Sequence, residues 1–184
     1  MVKFPSWRFF LIPLIVLGLG FSKCFAEVYV APPYVPPPPP ESKVHLTDNG
    51  DETITDGNGL MWTKKDSYAD LGKCLNWYHS NEYVKNLKVG GYEDWRMPTI
   101  LELYGIYDDT IENVMAFDHS PDHPLRLSRL FADGAAYWPW SGEREETKLT
   151  DCCATTFYYA KGISNVRRLT LCNNGGVRAV RNAE

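Results

Sequence analysis

The chain has 184 residues, with 19 basic and 23 acidic side chains, a formal charge of −4, 13 prolines and five cysteines. An acidic protein lacks the basic surface that neutralises phosphates, which argues against nucleic acid as a bulk electrostatic partner. The length leaves room for one domain with one core beyond any terminal segments.

The first residues have the three parts of a secretory signal peptide. Lys3 and Arg8 are basic, Phe9 to Phe21 is uniformly apolar, and Cys24-Phe25-Ala26 ends in a small residue suited to cleavage before Glu27. The apolar run falls short of the roughly 20 residues that a spanning helix needs, and it contains Pro13. The expectation is a cleaved leader over residues 1–26. An uncleaved membrane anchor is the alternative, and Lys23 opposes lipidation at Cys24. Cleavage removes three bases and no acid, which takes the charge from −4 to −7. It also leaves Cys74, Cys152, Cys153 and Cys172, an even set that reads as two disulfides in an oxidising compartment.

Residues 27–42 include five consecutive prolines, Pro36 to Pro40. Such a run favours polyproline II and reads as a semi-rigid spacer, with a ligand for an aromatic groove as the alternative. The globular part is expected over residues 43–184.

Within it, Val44–Leu46 and Glu52–Ile54 are predicted strands around the turn Asp48-Asn49-Gly50-Asp51. That acidic turn lacks the ligand spacing and closing glutamate of a calcium loop, so a hairpin is expected. A second turn at Asp56-Gly57-Asn58-Gly59 leads into Leu60-Met61-Trp62. Asp66 or Ser67 can cap a helix to about Tyr83, with Tyr68, Leu71, Leu75 and Tyr78 on one face and Cys74 beside it. Thr99 and Glu102 make a capping box for a short second helix. Asp108 to Gly134 carries no clear period and predicts a long irregular loop. Tyr137–Trp140, Thr155–Tyr159, Arg168–Cys172 and Val177–Val180 read as strands. The expected class is α+β, with two helices, a small antiparallel sheet and long loops.

Four motifs then carry a resemblance. They are Asp48-Asn49-Gly50-Asp51 through Gly59-Leu60-Met61-Trp62; Asp94-Trp95-Arg96-Met97-Pro98-Thr99 with Glu102; Tyr137-Trp138; and Val177-Arg178-Ala179-Val180-Arg181. In this order they resemble the Lcl C-terminal domain family, over nearly all of residues 43–182. The resemblance implies a C-type-lectin-like fold, related also to formylglycine-generating-enzyme domains, in a secreted or surface-exposed setting beside adhesive modules. It implies structural roles for Gly59, Leu60, Trp62, Asp94, Trp95, Arg96, Pro98, Thr99, Glu102, Tyr137 and Val177. Many relatives carry a cysteine where this chain has Ala179, so the usual partner of Cys74 is missing. If Cys152-Cys153 is extended, its side chains point to opposite faces. One thiol is then expected to reach Cys74 and the other Cys172, in either of the two pairings that avoid a vicinal bridge.

Trp138 and Trp140 alternate with Tyr137 and Pro139, so both indoles share one side of the predicted strand. They read as core or as an exposed platform for sugar rings. Arg178 and Arg181 join Lys161, Arg167 and Arg168 in a basic C-terminal region. It reads as a contact for an acidic polysaccharide or as a balance to Glu143, Glu145 and Glu146. Trp138, Trp140, Arg178 and Arg181 are therefore the candidate contacts. Asp118-His119 and Asp122-His123 have metal-ligating types but no further ligand at a recognisable spacing, and read as a surface loop. No catalytic motif or cofactor signature is present. The expectation is a non-catalytic extracytoplasmic module for a polysaccharide or envelope protein, or a structural subunit of an envelope assembly. A membrane contact arises only through an uncleaved leader, and an enzyme is the remote alternative.

Overall fold

The computed structural model describes residues 43–111, 115–147 and 150–183. The expected leader and spacer lie outside these residues. The class is α+β as expected, but the described residues form two four-stranded sheets and three short helices.

The first sheet joins the two ends of the domain. β1 (Leu46–Asp48), β2 (Thr53–Asp56), β3 (Leu60–Thr63) and β8 (Val180–Asn182) are antiparallel in the order β1-β2-β3-β8. The β1–β2 turn is tied by its own side chains: Asp48 Oδ1 accepts from the Gly50 amide at 3.0 Å, and Asp51 Oδ1 from the Thr53 amide at 3.1 Å. Asp56 Oδ1 accepts from Asn58 and Leu60 amides, while its Oδ2 accepts from the Trp62 indole at 2.9 Å. Gly59, at φ +80°, supplies the left-handed position between them. Alternation along β3 then sends Trp62 into one hydrophobic cluster and Met61 into a second, so both faces of the strand are covered.

The single helix expected from Asp66 to about Tyr83 is two helices, α1 (Ser67–Leu71) and α2 (Trp77–Lys85). Gly72 adopts φ 64°, ψ 21° and closes α1 with its amide on the Tyr68 carbonyl at 2.8 Å. Asn76 starts α2 by accepting from the His79 amide. Consequently Tyr68 and Leu75 are buried while Leu71 and Tyr78 are exposed, and the one-face pattern does not hold. α3 (Ile100–Gly105) begins with the expected Thr99–Glu102 capping box. Residues 108–134 form no helix or named strand among those described, yet Leu125, Leu127 and Phe131 from this stretch are core residues.

The second sheet contains β4 (Trp138–Thr147), β5 (Thr150–Tyr158), β6 (Ile163–Arg168) and β7 (Gly175–Gly176), in the order β6-β5-β4-β7. β7 runs parallel to β4, so the expectation of one antiparallel sheet is corrected. The strand expected over Arg168–Cys172 is displaced, because Leu171 turns back onto the Arg168 carbonyl at 2.9 Å. Of the strand expected over Val177–Val180, only Val180 is in a strand, as the first residue of β8, while Val177 to Ala179 connect β7 to β8. Val177 is buried there, its amide donating to Ser67 Oγ at 2.9 Å.

The disulfides also differ from expectation. Cys74 bonds Cys172 and Cys152 bonds Cys153, so the vicinal bridge is present. The α1–α2 connection determines this outcome. Leu75 donates to the Gly175 carbonyl at 3.0 Å and accepts from the Trp140 indole at 3.0 Å, which brings Cys74 within 5.5 Å of Cys172, Cα to Cα. Ala179 is a buried member of the second cluster.

Candidate functional site

β4 and β5 pair with Trp140 opposite Thr156, which places Trp138 and Tyr158 side by side two residues further along. Their rings stack at 4.3 Å with 9° between planes. Tyr137 continues the series, its ring 6.1 Å from Tyr158. From the outer strand β6, Arg167 stands opposite Ala154 and lays its guanidinium 5.3 Å from the Trp138 ring centre and 5.8 Å from that of Trp140. Arg167 Nη2 donates to the Asn173 carbonyl at 3.0 Å, while Nη1 is buried without a hydrogen-bond partner. The result is a column, Tyr137–Tyr158–Trp138–Arg167, whose last three members are each half-buried.

Its surroundings are polar at both ends, with an apolar side chain beside the middle. The Tyr137 hydroxyl is buried, makes no hydrogen bond of good geometry and faces Asp118 and Ser120. Burial, then the neighbouring Asp118 carboxylate, pushes its pKa up to about 12. Burial lowers the pKa of Arg167, which nevertheless stays charged at any physiological pH. Ile163, beside Tyr158 in the register, is 50% exposed, and Asn173 and Asn174 are exposed on the loop that follows β6. Such a surface offers aromatic edges and a cation in one patch, beside a loop on which Asn173 and Asn174 are exposed.

Three of the four expected contacts are not surface groups. Trp140 is 0% exposed, because the α1–α2 connection covers it and takes its indole hydrogen bond. Arg178 is 1% exposed. Its Nη1 donates to the carbonyls of Thr63 and Lys64, both at 2.8 Å, and its guanidinium lies 4.4 Å from the Phe131 ring centre. Arg181 is 4% exposed, with Nε on Asp94 Oδ1 at 2.7 Å and the guanidinium 3.9 Å from the Tyr92 ring centre. Both arginines tie the end of the chain to the first sheet and its neighbouring loop. Only Trp138 stays within reach of a ligand. Arg167 was expected only as part of the basic region, and Tyr158 was not singled out, because their proximity to Trp138 depends on strand register. Their two-residue spacing from Thr156 and Asn165, which puts each pair on one face of its strand, was the available signal.

Trp62, Trp95 and Pro98 are buried, Leu60 packs on the first cluster, and Arg96 pairs with Glu102. Asp118, His119, Asp122 and His123 are exposed on the long loop. A separate cavity of about 230 Å³ lies between β3, α1 and α2. There the Tyr83 hydroxyl donates to Asp70 Oδ2 at 3.1 Å, and burial raises the Tyr83 pKa. Among the described residues no helix is long and apolar enough to cross a membrane.

The sequence profile of the Lcl C-terminal domain matches residues 52–181. No curated protein matches the chain.

Proposed function

Because the chain belongs to the Lcl C-terminal domain family, we propose that it is a non-catalytic recognition domain acting outside the cytoplasm, with a polysaccharide as its ligand. The observation that carries this reading is the Trp138–Tyr158–Arg167 face. The exposed parts of the aromatic rings give apolar surface for sugar rings to pack on, and a guanidinium suits hydroxyl and carboxylate groups. The groups along the column bind through hydrogen bonds and charge. A tyrosine raised to about 12 and an arginine are poor proton carriers near neutral pH. The α+β architecture and the long loop at 108–134 support the C-type-lectin kinship that the family resemblance implies. Two disulfides suit an oxidising compartment, which supports export to the periplasm or cell surface.

A glycan array probed with the full chain and with Trp138→Ala and Arg167→Gln tests this. Saccharide binding that both substitutions weaken at least tenfold supports the reading. Equal binding by all three proteins, or none by the unaltered chain, removes it.

One observation favours a second reading, the structural subunit. β6 is the outer strand of its sheet, with Ile163 and Val166 exposed along it. An open strand edge is a template for pairing with another chain. Stable co-purification of a protein partner, together with an empty glycan array, would favour this assignment.

A further inference from the structure

Cys152 and Cys153 are adjacent in β5 and bonded to each other. In a regular strand their side chains leave on opposite faces, so the sulfurs meet only where alternation is broken. The β4–β5 ladder has that break. Glu145 pairs with Cys153 and Glu146 with Asp151, which leaves Cys152 as an extra residue without a partner on β4. On the other side, Cys153 lies opposite Arg168, and the Cys152 carbonyl accepts from the Leu169 amide at 2.9 Å. Cys152 and Arg168 are exposed, and Cys153 is half-buried.

The two bridges differ in what they do to the chain. The entropy that a disulfide removes from the unfolded state grows with the logarithm of the loop it closes. Cys74–Cys172 spans 98 positions, whereas Cys152–Cys153 spans one and closes almost nothing. Loop closure therefore explains the first bridge and not the second. Exposure and a neighbouring cation are the features that make a sulfur pair reactive.

We propose that Cys152–Cys153 is a site of thiol–disulfide exchange, opened by an external thiol or dithiol while Cys74–Cys172 stays closed. An incoming thiolate attacks the exposed Cys152 Sγ, forms a mixed disulfide and expels Cys153 as a thiolate. A second thiolate then attacks the reductant's sulfur and releases Cys152. Two electrons and two protons enter the pair, and two reductant thiols become one disulfide. Arg168, a directly opposed cross-strand neighbour of Cys153, stabilises the departing thiolate. The opened pair is free to return to ordinary alternation, one thiol on each face of β5. This site does not depend on the recognition reading above.

The test equilibrates the folded full chain in graded reduced and oxidised glutathione, and in parallel dithiothreitol, followed by alkylation and peptide mass spectrometry. Cys152 and Cys153 should be alkylated under conditions that leave Cys74 and Cys172 bonded, with the near-ultraviolet dichroism unchanged. Opening by dithiothreitol alone would identify a dithiol as the reductant class, and opening by both would admit a monothiol. Arg168→Gln should slow opening by about twofold to fivefold. The double variant Cys152→Ser with Cys153→Ser should fold with an unchanged denaturation midpoint. Simultaneous reduction of both bridges with loss of the folded signal would overturn the proposal. So would a double variant that fails to fold, or alkylation of the pair without reductant.

Discussion

Arg96 grips both oxygens of Glu102, Nη1 to Oε2 at 2.8 Å and Nη2 to Oε1 at 2.6 Å. The same Oε2 accepts from the Thr99 amide at 2.8 Å, while Thr99 Oγ1 accepts from the Glu102 amide at 3.2 Å. The backbone of Arg96 in turn exchanges hydrogen bonds with Val180 at 2.9 and 3.0 Å. One carboxylate thus joins the start of α3 to the final strand. Glu102→Ala should destabilise the fold by about 1–2 kcal/mol, the scale of a lost cap and a partly exposed ion pair, read from urea denaturation.

The same carboxylate sets a pH dependence. Hydrogen bonding from Arg96, foremost, holds Glu102 below its ordinary value of 4.5. A depressed folded pKa contributes stability that is present above pH 4.5 and lost as the pH falls through the folded value. The stability difference between the unaltered chain and Glu102→Gln should therefore be constant near neutrality and shrink below about pH 4.5. A gap that persists into stronger acid would contradict the assignment.

The two neighbouring tryptophans should respond differently. Trp140 is fully buried and bonded to Leu75, so Trp140→Ala should cost about 3–5 kcal/mol. Trp138 is half-buried and stacked on Tyr158, and its replacement by alanine should cost only about 1–2 kcal/mol. Denaturant midpoints of the two variants give the comparison directly.

Replacing Cys74 and Cys172 together by serine should remove about 2–5 kcal/mol, as expected for a bridge that closes a long loop. Thermal unfolding of the double variant measures the loss.

Gly175 sits where no side chain fits. A Cβ there would lie 2.6 Å from the Cys172 carbonyl and 3.0 Å from both Leu75 O and Trp140 Nε1. Gly175→Ala should destabilise by about 1–3 kcal/mol and shift the Trp140 indole proton resonance, because it presses on that hydrogen bond.

Local chemistry made several elements readable from residue order. The Asp48–Asp51 hairpin and the Thr99–Glu102 box each depend on groups a few positions apart, and the 108–134 stretch was readable only through its lack of a period. The break at Gly72 was equally local and was passed over, since the apolar spacing across it mimicked one helix. Register was not readable. Whether Trp138 meets Tyr158 depends on how β4 and β5 align, and whether Trp140 is exposed depends on where the α1–α2 connection folds back.

By itself the sequence determined the class, the family and the start of α3, because turn and cap chemistry acts within a few residues. Tertiary structure alone decided that Arg178 and Arg181 are internal, that Arg167 and Tyr158 flank Trp138, and that Cys152 bonds its neighbour. Each of those outcomes depends on which distant backbone carbonyl, ring or sulfur is brought within a few ångströms, and only the packed sheets fix that.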